Sequence, residues 1–233
     1  MDLVAHRVVK DLVLKYSNLK SYQDCGIVEI AFNPDAETKW TPKLLFRTLF
    51  KSPDNFRFET RLRVSQHVNA DDIPMVVWFD GKAGYSSDPE KKVKKIFGPL
   101  SVMHTPESII GECLSVCFPF SGSISRFVHP LLFQHLKGRS GIEQQIWESD
   151  LSDPKIYRLH SSDYWLSISR ELLQIEEISD SSSKKGLWKR TRFTSVILDA
   201  DIDVGAFERK EIEAEIEGNQ ILADLKSEMA KRT

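Results

Sequence analysis

Along residues 56–64 the side chains alternate without a break. Phe56, Phe58, Thr60, Leu62 and Val64 stand on one parity, and Arg57, Glu59, Arg61 and Arg63 on the other. A repeat of two belongs to a strand and to no helix, and it predicts a sheet with an apolar face turned inward and a wet outer face. Partners for this strand stand nearby. Residues 43–51 read as a strand joined to it by the turn Ser52-Pro53-Asp54-Asn55. Residues 75–79 and 82–86 flank Asp80-Gly81, a strong short hairpin signal. Val28, Ile30 and Phe32 alternate with Glu29 and Ala31, and β-rich runs return at 155–160, 163–169, 172–179 and 189–198. Asp180 to Gly186, mostly serine and lysine, reads as a solvent loop.

The first hairpin carries a more specific expectation. With 52–55 as a four-residue turn, Lys51 pairs with Phe56, Leu49 with Phe58, Arg47 with Thr60 and Leu45 with Leu62. Directly opposed residues share a face. Arg47 is then expected inside, among Leu45, Leu49, Phe58, Thr60 and Leu62. There it either snorkels out at the strand end or anchors a ligand carboxylate or phosphate.

Three stretches read as helical. Residues 3–19 place Val8, Val9, Leu12, Val13, Tyr16 and Leu19 on one stripe, with Asp2 able to cap the start. Residues 208–231 are highly charged, with Ile212, Ile216, Ile221, Leu222 and Leu225 as sparse apolar points. Between the strand groups, Thr105-Pro106 opens a third helical region, at 105–137. From 109 to 133 only Glu112 and Arg126 are charged, and Pro119 and Pro130 divide the run into short helices. Ile109, Ile110, Leu114, Phe118, Phe120, Phe127 and Leu131 give it more apolar surface than one packing face uses, so it is expected to be covered on most sides. Many antiparallel strands with grouped helices make the class α+β. Residues 1–208 are expected to form one domain, and 209–233 a charged helical tail.

Composition narrows the function. At 233 residues, 41% hydrophobic, the chain builds a sizeable core, and its net charge of -2 gives no basic field for nucleic acid. The lysines at 91–95 and the Lys184, Lys185, Lys189 and Arg190 group read as solvated turn charges. No run reaches the roughly 18 apolar residues of a membrane-spanning helix. Three cysteines, Cys25, Cys113 and Cys117, make no complete disulfide framework, and Cys113 and Cys117 lack a second ligand pair for zinc. No metal or cofactor is expected. Ser121-Gly122-Ser123 is not a nucleophile elbow, Asp71-Asp72 sits in a loop, and His104, His129, His135 and His160 are scattered, so no enzyme is expected.

Several segments, in order, resemble a known family. Tyr16 to Tyr22 is similar to a Y-x-x-L-K-S-Y opening, and Phe50 to Glu59 to an F-K-x-P-x-x-F-R-x-E hairpin. Trp78 to Lys82 is similar to an x-x-D-G-K turn. Tyr164 to Ile168 with Leu172 to Glu176 resembles a late W-I-D…L-I-x-x-I-E strand pair, and Ile202 to Phe207 a closing I-P-x-x-x-F. Together these resemble the LolA/LolB-like outer-membrane-lipoprotein-sorting superfamily over residues 3–208. The resemblance implies an eleven-stranded curved half-barrel with a helical lid and an apolar cavity. The best-known members carry lipoprotein acyl chains through the periplasm. Three departures stand out: Ser52 replaces the carrier branch's arginine before the hairpin proline, Ser167-Ile168-Ser169 lacks the W-I-D acid, and the tail after Phe207 is extra.

The expected function is a non-catalytic binding or carrier protein for a lipid-like ligand, an acyl chain or a lipoprotein. The ligand would lie between the concave sheet and the lid, on the thirteen inward and lid residues named above from Leu45 to Leu131. The alternative is an interaction or structural module of the cell envelope with a collapsed core. Its tail would dock on a partner protein or on its own body. A monomer is expected, in the periplasm or envelope if a signal peptide has been removed, otherwise in the cytoplasm.

Overall fold

The computed structural model describes residues 2–32, 40–52, 55–62, 73–87, 93–97, 145–162, 164–180 and 187–218, with a few positions up to 227. The first part of the chain is helix α1 (Leu3–Ser17), then β1 (Ser21–Phe32), β2 (Thr41–Lys51), β3 (Asn55–Leu62), β4 (Ile73–Asp80), β5 (Gly84–Ser87) and β6 (Val93–Phe97). The second is β7 (Glu148–Asp150), β8 (Ile156–His160), β9 (Tyr164–Ser169), β10 (Gln174–Asp180), β11 (Leu187–Leu198), a 3-10 turn (Val204–Phe207) and helix α2 (Arg209–Glu217). The strands pair in the order β6-β5-β4-β3-β2-β1-β11-β10-β9-β8-β7, eleven in one sheet. It is unclosed, with β6 and β7 as its edges, and pairing is antiparallel from β2 through β6 and from β7 through β11.

The α+β class with a large antiparallel sheet is therefore as expected. Two strands were not foreseen. β6 falls on lysines read as turn charges, because Val93, Ile96 and Phe97 are too few to show a period. β7, three residues long, is below the length at which alternation is visible. The lid at 105–137, Cys113, Cys117, the loop 181–186 and the 53–54 turn tip lie outside the described residues.

By their internal contacts the residues divide into two compact units interleaved along the chain. One comprises 1–18, 26–43 and 128–194, the other 19–25, 44–127 and 195–233. In the first, α1 starts where Asp2 accepts from the backbone N–H groups of Val4 and Ala5 at 2.9 and 3.0 Å. Asp2 also accepts from the Ser149 hydroxyl and backbone N–H at 2.5 and 2.8 Å, fixing the helix to β7. The Ser149 hydroxyl and the Ala5 N–H lead in holding the Asp2 carboxyl down at about 2, below its ordinary 3.8. The expected stripe, Val8, Val9, Leu12, Val13 and Tyr16, is buried together with Ala5. At the far end of α1, Tyr16 Oη accepts from the Ile175 N–H of β10 at 3.2 Å. Leu159, Leu166, Ile168, Ile175 and Ile178 form the buried side of β8–β10.

The second unit corrects the hairpin. Lys51 pairs with Asn55, Phe50 with Phe56, Thr48 with Phe58, Arg47 with Glu59 and Leu44 with Leu62. Three residues, not four, lie between the last paired positions, so the register is one residue off the expected one and every β2 side chain changes face. Leu45, Arg47 and Leu49 accordingly lie opposite Arg61, Glu59 and Arg57, away from Phe58 and Thr60. The outer face of β3 is not wet: Arg57 is 1% exposed and Glu59 fully buried. The cover is the C-terminal segment. Ile212 and Ile216 of α2, with Ile221 beyond it, pack on Val76 and Trp78 of β4. Ile202 and Phe207 pack on Leu49. The tail's apolar points Ile212, Ile216 and Ile221 are thus spent on its own sheet.

Candidate functional site

With the register settled, β2, β3 and β4 present two different faces. Opposed pairs Phe56 with Phe79, Phe58 with Val77 and Thr60 with Met75 continue the first face from Leu44, Phe46, Thr48 and Phe50. That face is an aromatic and aliphatic wall, and every one of these side chains is buried. Phe46 and Phe58 stack with ring centroids 5.8 Å apart and planes at 28°, an offset geometry that aromatic pairs favour. Thr48 and Thr60 are its hydroxyl-bearing members. At the β1 end, the buried Asp24 accepts from the Thr48 N–H at 3.0 Å and from the Tyr22 hydroxyl at 2.7 Å.

The second face holds charge instead. Arg47 donates through Nε and Nη2 to Glu59 at 2.7 and 2.8 Å, a two-pronged pair. Arg57 Nε lies 2.6 Å from the same carboxylate. The Arg57 guanidinium also donates to the Ala206 carbonyl at 2.8 Å and pairs with Glu215 of α2. Two arginines and two glutamates therefore compensate one another, as a buried ionic cluster requires. Trp78 stacks on Tyr85 at 5.2 Å in the same layer, and its indole N–H is buried without an acceptor among the described residues. The cluster joins α2 to the sheet and leaves Arg47 engaged by Glu59.

The expected site is thus divided. Phe58 and Thr60 belong to the apolar wall, and Leu62 occupies the next register position of the same parity. Arg47 belongs to the ionic face, Leu49 packs under Ile202 and Phe207, and Leu45 shares their parity. Ile109, Ile110, Leu114, Phe118, Phe120, Phe127 and Leu131 lie outside the described residues. The wall also contains Phe46, Met75, Val77 and Phe79, which sequence reasoning had not assigned to it. A three-residue turn in the first hairpin and the parity of Met75, Val77 and Phe79 were the signals that would have found them.

Among the described residues, no three His, Cys, Asp or Glu side chains gather at metal-binding distance. No helix among them is long and apolar enough to cross a membrane. No family model matches the chain, and no curated protein matches it. Solved structures do. A DUF1329 family protein from Desulfovibrio piger is 9% identical, with 89% of this chain and 97% of that one covered and a TM-score of 0.37. A candidate outer membrane lipoprotein-sorting protein domain from Vibrio parahaemolyticus is 8% identical, with 89% and 97% covered and a TM-score of 0.36. LprF from Mycobacterium bovis is 8% identical, with 86% and 95% covered and a TM-score of 0.42.

Proposed function

We propose that this chain is a non-catalytic binding or carrier protein for an apolar, lipid-like ligand, an acyl chain or the acyl chains of a lipoprotein. The observation that carries the reading is the apolar wall. The C-terminal segment takes up the ionic face of β2–β4, and the opposite face is given over to Phe46, Phe56, Phe58, Met75, Val77 and Phe79. The proposed ligand lies between this wall and the apolar segment 105–137, which closes over it in pieces divided by Pro119 and Pro130. The proposed lining keeps Phe58, Thr60 and Leu62. From the segment it takes Ile109, Ile110, Leu114, Phe118, Phe120, Phe127 and Leu131, and it releases Leu45, Arg47 and Leu49 to the other face. An apolar pocket with few polar groups suits an alkyl chain, which offers area and no hydrogen bonds. The proposed setting is the cell envelope.

Native mass spectrometry of gently purified protein tests this, alongside displacement of a fluorescent fatty acid by phospholipids and a lipopeptide. A co-purified lipid mass or a competed signal is expected. Amide exchange in 109–133 should slow on ligand addition more than in β11, since a ligand stabilises the elements it holds. Binding at a hundredfold excess over the dissociation constant should add about 2.7 kcal/mol of stability. Absence of any lipid adduct or competition, with exchange in 109–133 already slow and unaltered, would assign the wall to an ordinary core.

A further inference from the structure

Strands β7–β11 bury one side on Leu159, Leu166 and Ile178; on the other side Glu148, Asp150, Arg158, Trp165 and Arg192 are exposed and His160, Ser167, Glu177, Ser179 and Arg190 half-buried. The registers align a row across that other side: Glu148, His160, Trp165, Ser179 and Arg190. One pleat along, Arg158, Ser167, Glu177 and Arg192 make a parallel row that starts at Asp150. No aliphatic side chain stands in either row. The planar groups are set in place. Trp165 is 46% exposed and stacks on the His160 ring at 4.9 Å and 19°. His160 Nε2 is 3.1 Å from a Glu148 oxygen. The Arg190 guanidinium lies 4.3 Å over the Trp40 ring. Its Nε donates to Glu29 at 2.7 Å, and Arg192 donates twice to the same carboxylate at 2.8 and 3.0 Å.

The chemistry of this face selects its occupant. Three arginines are set against the four carboxylates Glu29, Glu148, Asp150 and Glu177, so the surface carries little net charge and offers nothing to a polyanion. With no aliphatic side chain in these two rows, which Ile156 borders at one end, it lacks the apolar centre of a protein hot spot or a membrane anchor. What it offers is an exposed indole, a guanidinium–indole stack, and closely spaced hydroxyl, carboxylate and guanidinium groups that accept and donate. A pyranose ring matches that set, with apolar C–H faces for stacking and hydroxyls around its rim. Trp165 on β9 and Arg190 on β11 are two strand spacings apart, about 10 Å, near the length of one disaccharide in an extended chain. We propose that this face binds a neutral, extended oligosaccharide, with one ring stacked on Trp165 and another against the Arg190–Trp40 pair. The groups are fixed by their own ion pairs before any ligand arrives, which lowers the ordering cost of binding.

The test is titration of the full, 15N-labelled chain with chitotetraose, cellotetraose and maltotetraose, and separately with a heparin tetrasaccharide. The indole N–H signals are followed. At least one neutral sugar should shift Trp165 and Trp40 and leave Trp78 in place, since Trp78 is buried under α2. Trp165→Ala should weaken that affinity by about tenfold or more with the denaturation midpoint unchanged, and Trp165→Phe, which keeps a ring, should retain most of it. No response of Trp165 to any of the three neutral sugars at millimolar concentration would overturn the proposal. So would a response to heparin alone, or affinity unchanged in Trp165→Ala.

Discussion

Arg57 shows what one residue can decide. Its position in the alternation marks it as a surface charge, yet it lies buried between Glu59 and Glu215. Removing one member of a buried ionic cluster leaves the others uncompensated. Arg57→Ala should therefore cost about 3–5 kcal/mol in urea denaturation, comparable with the ~3–5 kcal/mol for Phe58→Ala on the other face. Glu215 is 31% exposed, and solvent screening should hold Glu215→Gln to about 1 kcal/mol. An Arg57→Ala cost below that of Glu215→Gln would show that water replaces the cluster readily. Alternation gives the parity of β3 correctly and misses the second cover. A charged parity predicts water, but here a later segment brings its own carboxylate to the charge.

Glu177 makes the complementary case. Burial pushes its carboxyl above the ordinary 4.5, against the pull of Arg190 and Arg192. Burial also raises Glu29, but its hydrogen bonds from Arg192 and Arg190 outweigh this and leave it below 4.5. A raised carboxyl destabilises the fold when ionised, so Glu177→Gln should raise the melting temperature at neutral pH. That gain should shrink as pH falls through the raised folded value and vanish below 4.5. A variant equally stable to the parent at every pH would sink the prediction.

At the scale of elements, the two helices were legible to different degrees. The stripe and the cap of α1 both follow from sequence, because a helix that covers a sheet needs one apolar side and one stop. The cap does more than end the helix, since Asp2 also ties it to Ser149 of β7. Asp2→Ala should cost about 1 kcal/mol or more, the usual value of a lost cap. The Asp2 carboxyl is depressed, so its contribution is complete above 3.8 and fades as pH drops toward about 2. A melting series from pH 5 to pH 2 should therefore bring parent and Asp2→Ala together at the acid end; a constant gap would contradict it. The partner of α2 was not legible. Its apolar points are sparse, and nothing in spacing tells a helix whether to dock on another protein or on Trp78. The edge strands β6 and β7 escaped notice because short strands are defined by their neighbours' hydrogen bonds more than by their own pattern.

At the scale of the whole molecule, the sheet consists of two runs of sequential neighbours. From β1 to β6 each strand pairs with the next in the chain, and from β7 to β11 likewise. One pairing alone breaks this rule: β1 lies beside β11, joining residues 21–32 to 187–198. Around that junction the Ser52 N–H donates to the Lys20 carbonyl and the Asp199 N–H to the Ser21 carbonyl, at 2.7 and 2.9 Å. Substitutions in β11 should accordingly slow refolding after dilution from denaturant more than equal destabilisations in the β4–β5 hairpin. Long-range pairings bear the loop-closure cost that local ones avoid. Equal slowing in both places would show that the junction forms after the rate-limiting step.

That single junction also sets a clock on the ribosome. Translation delivers β1 long before its neighbour β11, so throughout that interval β1 has a bare side where its last partner belongs. The strands on either side can pair as they emerge, but the nascent protein waits with two unfinished edges, and only β11 joins them. A cell making this protein must shelter that seam from other nascent strands, which are its readiest false partners.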